Sequence, residues 1–221
     1  MPLKRGIRKL KKLLIVIGII LIVIILYLLL KPSKITFEKG FHDMLKLDDR
    51  YNASFKFERL NQTMVDVDKI DLFIKDLEEF KEKLLKYENK SDIQALNLLL
   101  NARINMLRSE KYFFLGRNIG DIGISAGGFR CSEAPYLINA AYYYNNSYKY
   151  GIQAYSQLDD LLNIYKDVPN LKKLVGIDET KVKFYASPIF NAKAIAEINI
   201  GALSRYCNYD KNKPLIPVII K

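Results

Sequence analysis

One histidine, His42, and two cysteines, Cys131 and Cys207, are the only soft metal ligands in the 221-residue chain. A structural zinc site takes about four cysteine or histidine ligands, so these residues cannot complete one without unusual carboxylate ligation. A Ser-His-Asp or Cys-His nucleophilic centre would have to run through His42. That residue stands in Phe41-His42-Asp43-Met44, where an exposed helical histidine is the simpler reading. Carboxylate-only catalysis, as in glycoside hydrolysis, needs two facing acids that any part of the chain could supply. Nothing in the spacing of the acids points to such a pair. Five glycines at 116, 120, 123, 127 and 128 invite a phosphate-binding reading. Neither Gly-x-x-x-x-Gly-Lys-Ser/Thr nor Gly-x-Gly-x-x-Gly after a strand is present, so residues 116–128 read as a loop, with recognition as its functional alternative. The residues therefore call for no catalytic group, no metal and no cofactor.

What positions the rest begins with the most apolar stretch. From Leu13 to Leu30 every residue is Leu, Ile or Val except Gly18 and Tyr27. A helix of this length runs about 27 Å at about 1.5 Å per residue, close to the roughly 30 Å hydrocarbon core. Its branched aliphatics contribute roughly −5 to −10 kcal/mol on the insertion scale. A cleaved secretory signal would have a shorter apolar stretch and a small-residue cleavage site. Here the run exits into Lys31-Pro32-Ser33, and no cysteine follows it for lipidation. A prepilin-type leader at Gly6 lacks the acidic residue leading into the apolar segment. The segment reads as a permanent single-pass membrane anchor in the lipid bilayer. Six basic residues precede it within twelve positions, so the positive-inside rule keeps the N-terminus cytosolic and the C-terminal domain extracytoplasmic. A twelve-residue stub cannot hold a folded output domain.

The charge agrees. Residues 1–34 hold eight basic side chains and no acid, leaving only +3 of the net +11 for the remainder. Phosphate-backbone binding needs clustered, uncompensated positive charge, so no nucleic-acid role is expected.

Beyond the anchor, helical periodicity dominates and the expected fold class is all-α: a transmembrane helix followed by an antiparallel helical bundle. The expected organisation is a basic cytosolic stub (1–12), the transmembrane helix (13–30), a membrane-proximal helix and linker (31–66), the extracytoplasmic bundle (67–207) and an extended apolar tail (208–221). Within 34–59 a weaker helix leaves the membrane. The clearest bundle helix spans Val67 to Tyr87, with Ile70, Phe73, Leu77, Phe80, Leu84 and Tyr87 on a 3-4 spacing. Ser91 with Gln94 forms a capping box for a second helix reaching about Leu115, along Ile93, Leu96, Leu100, Ile104 and Leu107. A third runs from about Glu133 to Tyr165, with Asn145, Asn146 and Ser147 as a possible kink. A last helix is signalled by Ser187-Pro188 and proceeds through Ala192, Ile195, Ile198, Ala202 and Tyr206.

Cys131 precedes the third helix and Cys207 ends the last. If these helices pack antiparallel, with 166–187 turning at the far end, the sulfurs meet, and a compartment outside the cytosol permits a Cys131–Cys207 disulfide. The alternative is two buried free thiols. Asn52, Asn61, Asn89 and Asn145 each open an Asn-x-Ser/Thr sequon, an acceptor only in a host with the machinery. Positions 99, 101, 102, 109, 111 and 112 echo 38 residues later, a weak internal repeat that chance explains in an asparagine-rich chain. The tail from Pro214 to Lys221 cannot be helical throughout. It either packs on its own domain or is offered as an extended peptide to a partner's sheet edge.

No motif is specific enough to name a family. The leading expectation is a membrane-anchored module that binds or scaffolds a protein partner outside the cytosol, carried by the anchor and by the tyrosines Tyr142, Tyr143, Tyr144, Tyr148, Tyr150 and Tyr155, since tyrosine suits interfaces. The rival expectation is an extracytoplasmic hydrolase of envelope glycans working with carboxylates alone.

Overall fold

The computed structural model describes residues 17–26, 35–53, 67–84, 87, 90–123, 130–168, 171–176 and 179–219. Among these every regular element is a helix: α1 (Phe37–Arg50), α2 (Ile70–Leu84), α3 (Lys90–Gly123), α4 (Ala134–Ile164), α5 (Leu171–Val175) and α6 (Glu179–Cys207), with 3-10 turns at Val67–Lys69 and Cys131–Glu133. The all-α expectation is met, and the long helices run antiparallel.

Helix α2 follows the sequence closely. Ile70, Phe73, Leu77 and Leu84 are fully buried, and Phe80 and Tyr87 pack beside them. The α3 stripe Ile93, Leu96, Leu100, Ile104 and Leu107 is likewise buried. Side chains three and four residues apart on a helix share one face, so a stripe of this spacing has one way to leave water. Helix α1 is more than a membrane-proximal linker. Phe37, Phe41 and Met44 enter the same core, and a Cβ at Gly40 would collide with the Leu96 side chain of α3. The Thr36 hydroxyl accepts the Lys39 amide at 3.3 Å, while the Phe37 amide donates to Asp92 Oδ2 on α3 at 2.8 Å. The exposed donors at the start of α1 are thereby met from two elements. At its other end Asn52, with φ 52°, lets the Ala53 amide reach back to the Asp48 carbonyl at 2.8 Å, a left-handed C-terminal cap.

Helix α3 runs for 34 residues, about 51 Å. Gln94 meets Tyr165, Asn105 meets Gln157 and Ser109 meets Ser147, a progression that makes α3 and α4 antiparallel. The 38-residue echo meets itself at Ser109 and Ser147, where the hydroxyls lie 3.3 Å apart. That is the crossing point of two antiparallel helices rather than a stack of repeated units.

Four expectations are corrected. Helix α3 starts at Lys90, so Ser91 lies inside it and does not cap it. It also continues to Gly123, taking Gly116 and Gly120 into the helix, with Gly120 buried near Ala140. The rest of the expected glycine loop, 124–129, lies outside the described residues. Helix α6 begins at Glu179 and stays helical across Pro188, which removes one amide donor from the interior of a 29-residue helix. Its buried face holds Ile189, Ala192, Ala196, Asn199 and Leu203, whereas Ile198 and Tyr206 are exposed. No break interrupts α4 at Asn145–Ser147; the Asn146 amide instead donates to the Tyr142 carbonyl one turn back at 2.9 Å.

Residues 17–26 are helical, about 15 Å long, and their large aliphatic side chains are exposed. Among the described residues no helix is long and apolar enough to cross a membrane. Residues 1–16 and 27–34, which hold the basic stub and the two ends of the expected span, lie outside the described residues.

Candidate functional site

The polar and aromatic groups gather in three places. The first is inside the bundle, where the Arg103 guanidinium donates twice to Asp48 Oδ1, from Nε at 3.1 Å and from Nη2 at 2.8 Å. Both side chains are buried, and Arg103 also lies 5.6 Å over the Phe73 ring. Among the described residues Asp48 Oδ2 has no hydrogen-bond partner, and loss of hydration pushes the Asp48 carboxyl above its ordinary range despite the opposing pull of Arg103. Buried charge paired in this way fixes how α1 sits on α3.

The second place is the tyrosine stripe. Tyr112 from α3 inserts between two rings of α4, stacking on Tyr150 at 5.6 Å and 5° and on Tyr143 at 6.0 Å and 28°. Tyr142 meets Tyr143 edge-on at 5.4 Å, and Arg108 lies 5.7 Å over Tyr150. Burial, followed by the neighbouring Tyr150, Tyr142 and Tyr143, raises the Tyr112 hydroxyl above its usual range. Tyr144 is buried against Phe113. The tyrosines singled out from the sequence thus serve mainly as a ladder joining α3 to α4, half-buried by one another, and not as an open aromatic platform.

The third place is the end of the molecule where α4 begins and α6 finishes. The Cys131 and Cys207 sulfurs lie 2.13 Å apart with Cα atoms at 5.5 Å, a disulfide distance, so the two helix ends meet as the antiparallel argument requires. Asn208, with φ 53°, turns the chain out of α6. Past it the chain is extended, and the Val218 amide donates to Asn139 Oδ1 at 2.6 Å while Asn139 Nδ2 donates to the Val218 carbonyl at 2.8 Å. The tail packs back on its own domain, held by this pair, with Ile216 66% and Ile219 88% exposed. Sequence reasoning passed over Asn139. Its signal is an amide placed among Leu137, Ala140 and Ala141, in a stretch that is otherwise core.

His42 is exposed on α1, with its ring 6.2 Å from Phe41. Several acids are held by cations: Asp76 by Arg50 at 2.9 Å, Glu78 by Arg108 at 2.9 Å, and Asp71 by Lys111. Among the described residues no group of three His, Cys, Asp or Glu could hold a metal ion. Asn52 and Asn145 are exposed; Asn61 and Asn89 lie outside the described residues.

The arrangement is that of an all-helical bundle with a cross-linked end and a clamped tail. Compared with family models, curated proteins and solved structures, the chain matches none.

Proposed function

We propose that the chain is a membrane-tethered helical module that binds a protein partner outside the cytosol. The observation that carries this reading is where apolar surface remains in water. Among the described residues, every exposed large hydrophobic side chain except Leu72 and Ile164 falls on the 17–26 helix, on α6 or on the tail. Large apolar side chains left in water on the same few elements are candidates for contact with lipid or protein. The 17–26 helix is part of the uncharged run from Leu13 to Leu30, whose natural surroundings are lipid. The remaining set, Phe190, Ile198, Tyr206, Ile216, Val218 and Ile219, belongs to the domain itself.

Ile35 is buried in the core only five residues after Leu30, which limits the start of the domain to about 17 Å from the end of the anchor. The α4 N-terminus and the tail stand at the opposite end of helices about 45 Å long. The partner-facing end then points away from the membrane. An oxidised Cys131–Cys207 pair agrees with an extracytoplasmic location.

Protease added to sealed, right-side-out cells should digest a C-terminal epitope while the mature protein retains residues 13–30. A protected C-terminus, or a mature chain beginning beyond Pro32, overturns the topology. Crosslinking in native membranes followed by mass spectrometry should recover a second protein joined through α6 or the tail. Crosslinks confined to this chain overturn the binding role.

A further inference from the structure

The contact between Asn139 and Val218 is unusual in what it recognises. A side-chain amide offers one acceptor and two donors, and here it takes both the N–H and the C=O of a single extended residue. Neither bond involves the Val218 side chain, which is 39% exposed. The contact reads backbone and would accept any extended residue that has an amide hydrogen. With the tail in place Asn139 is only 5% exposed, and its amide oxygen and nitrogen are both engaged by one tail residue. The tail on either side of Val218 is weakly held: residues 210–214, 216, 217 and 219 are exposed. A specific two-bond backbone contact thus holds an occupant that is otherwise largely in water.

We infer that Asn139 is a peptide-backbone clamp at the end of the bundle that receives an extended, apolar segment of another protein, and that residues 214–219 fill it in the unbound chain. The resident tail displays the ligand chemistry: aliphatic residues in extended conformation, with an N–H at the clamped position. Strand-like recognition of this kind takes its affinity from main-chain hydrogen bonds and its selectivity from alternate side chains. The inference deepens the binding role proposed above. Its test uses the purified full-length chain in detergent micelles, where the side of the membrane plays no part, so a failure here leaves the topology untouched.

Val218→Pro keeps the tail but removes the amide hydrogen that Asn139 accepts. A fluorescent peptide of residues 212–221 should then bind the Val218→Pro chain at least about tenfold more tightly than it binds wild type, because the clamp has lost its own occupant. Val218→Ala, which retains the N–H, should behave as wild type. The same peptide carrying proline at 218 should not bind, and adding Asn139→Ala to the Val218→Pro chain should abolish binding. On the wild-type chain, excess peptide should speed deuterium exchange at residues 214–219, a readout that does not depend on any variant folding. Equal binding by wild type and Val218→Pro, retained binding after Asn139→Ala, or unchanged exchange in the tail overturns the clamp. A wild-type dimer that dissociates on Val218→Pro overturns it as well, because the occupant is then the tail of a second copy.

Discussion

Around α3 the buried side chains are large. Phe37, Met44, Ile70, Phe73, Leu77, Leu84, Leu96, Leu99, Leu100 and Leu107 are all essentially inaccessible, and four other helices contribute to the same cluster. Between the first half of α4 and α6 the buried cluster is Ala140, Tyr144, Ala192 and Ala196, and at Gly151 the helices touch through the absence of a side chain. Burial stabilises by roughly 25 cal/mol per Å² of apolar surface, so the first region, with the larger side chains, gains more from area than the second. The second carries in addition a cross-link at Cys131–Cys207, and the Asn139 amide fastens the tail to it. Large apolar side chains are spent where the fold needs them and left exposed on α6 and the tail, the places where a partner can use them.

The difference predicts unequal responses to damage. Phe73→Ala removes a ring that stacks on Tyr51 at 4.6 Å and lies beneath Arg103, and should cost about 3–5 kcal/mol, read as a fall in the denaturation midpoint of the whole domain. A loss confined to one helix would mean that the α3 region is less cooperative than its packing implies. Reducing the cysteine pair, or replacing both by serine, should cost up to about 4 kcal/mol by the chain-entropy model for a separation of 76 residues. Here the loss should be local. Hydrogen exchange should rise in α6 and the tail while α2 and the first half of α3 stay protected. Uniform loss of protection would erase the contrast between the regions.

The contrast also explains what the sequence could disclose. The stripes of α2 and α3 are made of Leu, Ile and Phe at regular spacing, and each lies where that spacing puts it, because burying large apolar groups dominates every competing term. In α6 the same rule fails: Ile198 and Tyr206 lie outside while Ala192 and Ala196 lie inside. The choice of face there is set by how near two backbones can come, a property of the pair of helices that no single stripe displays. The approach of Cys131 to Cys207 was legible because it needs only helix lengths and an antiparallel turn. The pairing of Asn139 with Val218 was not, since an extended tail carries no periodicity that would set its register on α4. Gly151→Ala tests this account of α6. A Cβ at Gly151 would stand 2.7 Å from Ile189 Cγ1, so overpacking should cost about 1–3 kcal/mol. On an Ile189→Ala background, which lacks all three crowding atoms, Gly151→Ala should cost less; an equal cost there would place the strain elsewhere.

The smallest effect concerns Asp48, where burial and pairing oppose each other inside the better-packed region. Loss of hydration raises the carboxyl above its ordinary 3.8, and the Arg103 guanidinium only partly offsets this. A carboxyl with a raised folded-state pKa holds its proton more tightly in the folded chain than in the unfolded one. Its contribution to stability is therefore complete below the unfolded value and is lost as pH rises through the folded value, opposite to an ordinary paired carboxylate. Asp48→Asn cannot titrate. Urea unfolding of both proteins from about pH 3 upward should show the stability of wild type relative to Asp48→Asn declining as pH rises. The reverse trend, with wild type gaining on the variant toward neutral pH, would mean that the two hydrogen bonds from Arg103 outweigh burial. The ion pair would then belong with the disulfide and the clamp, as a staple, even within the region that gains more from area.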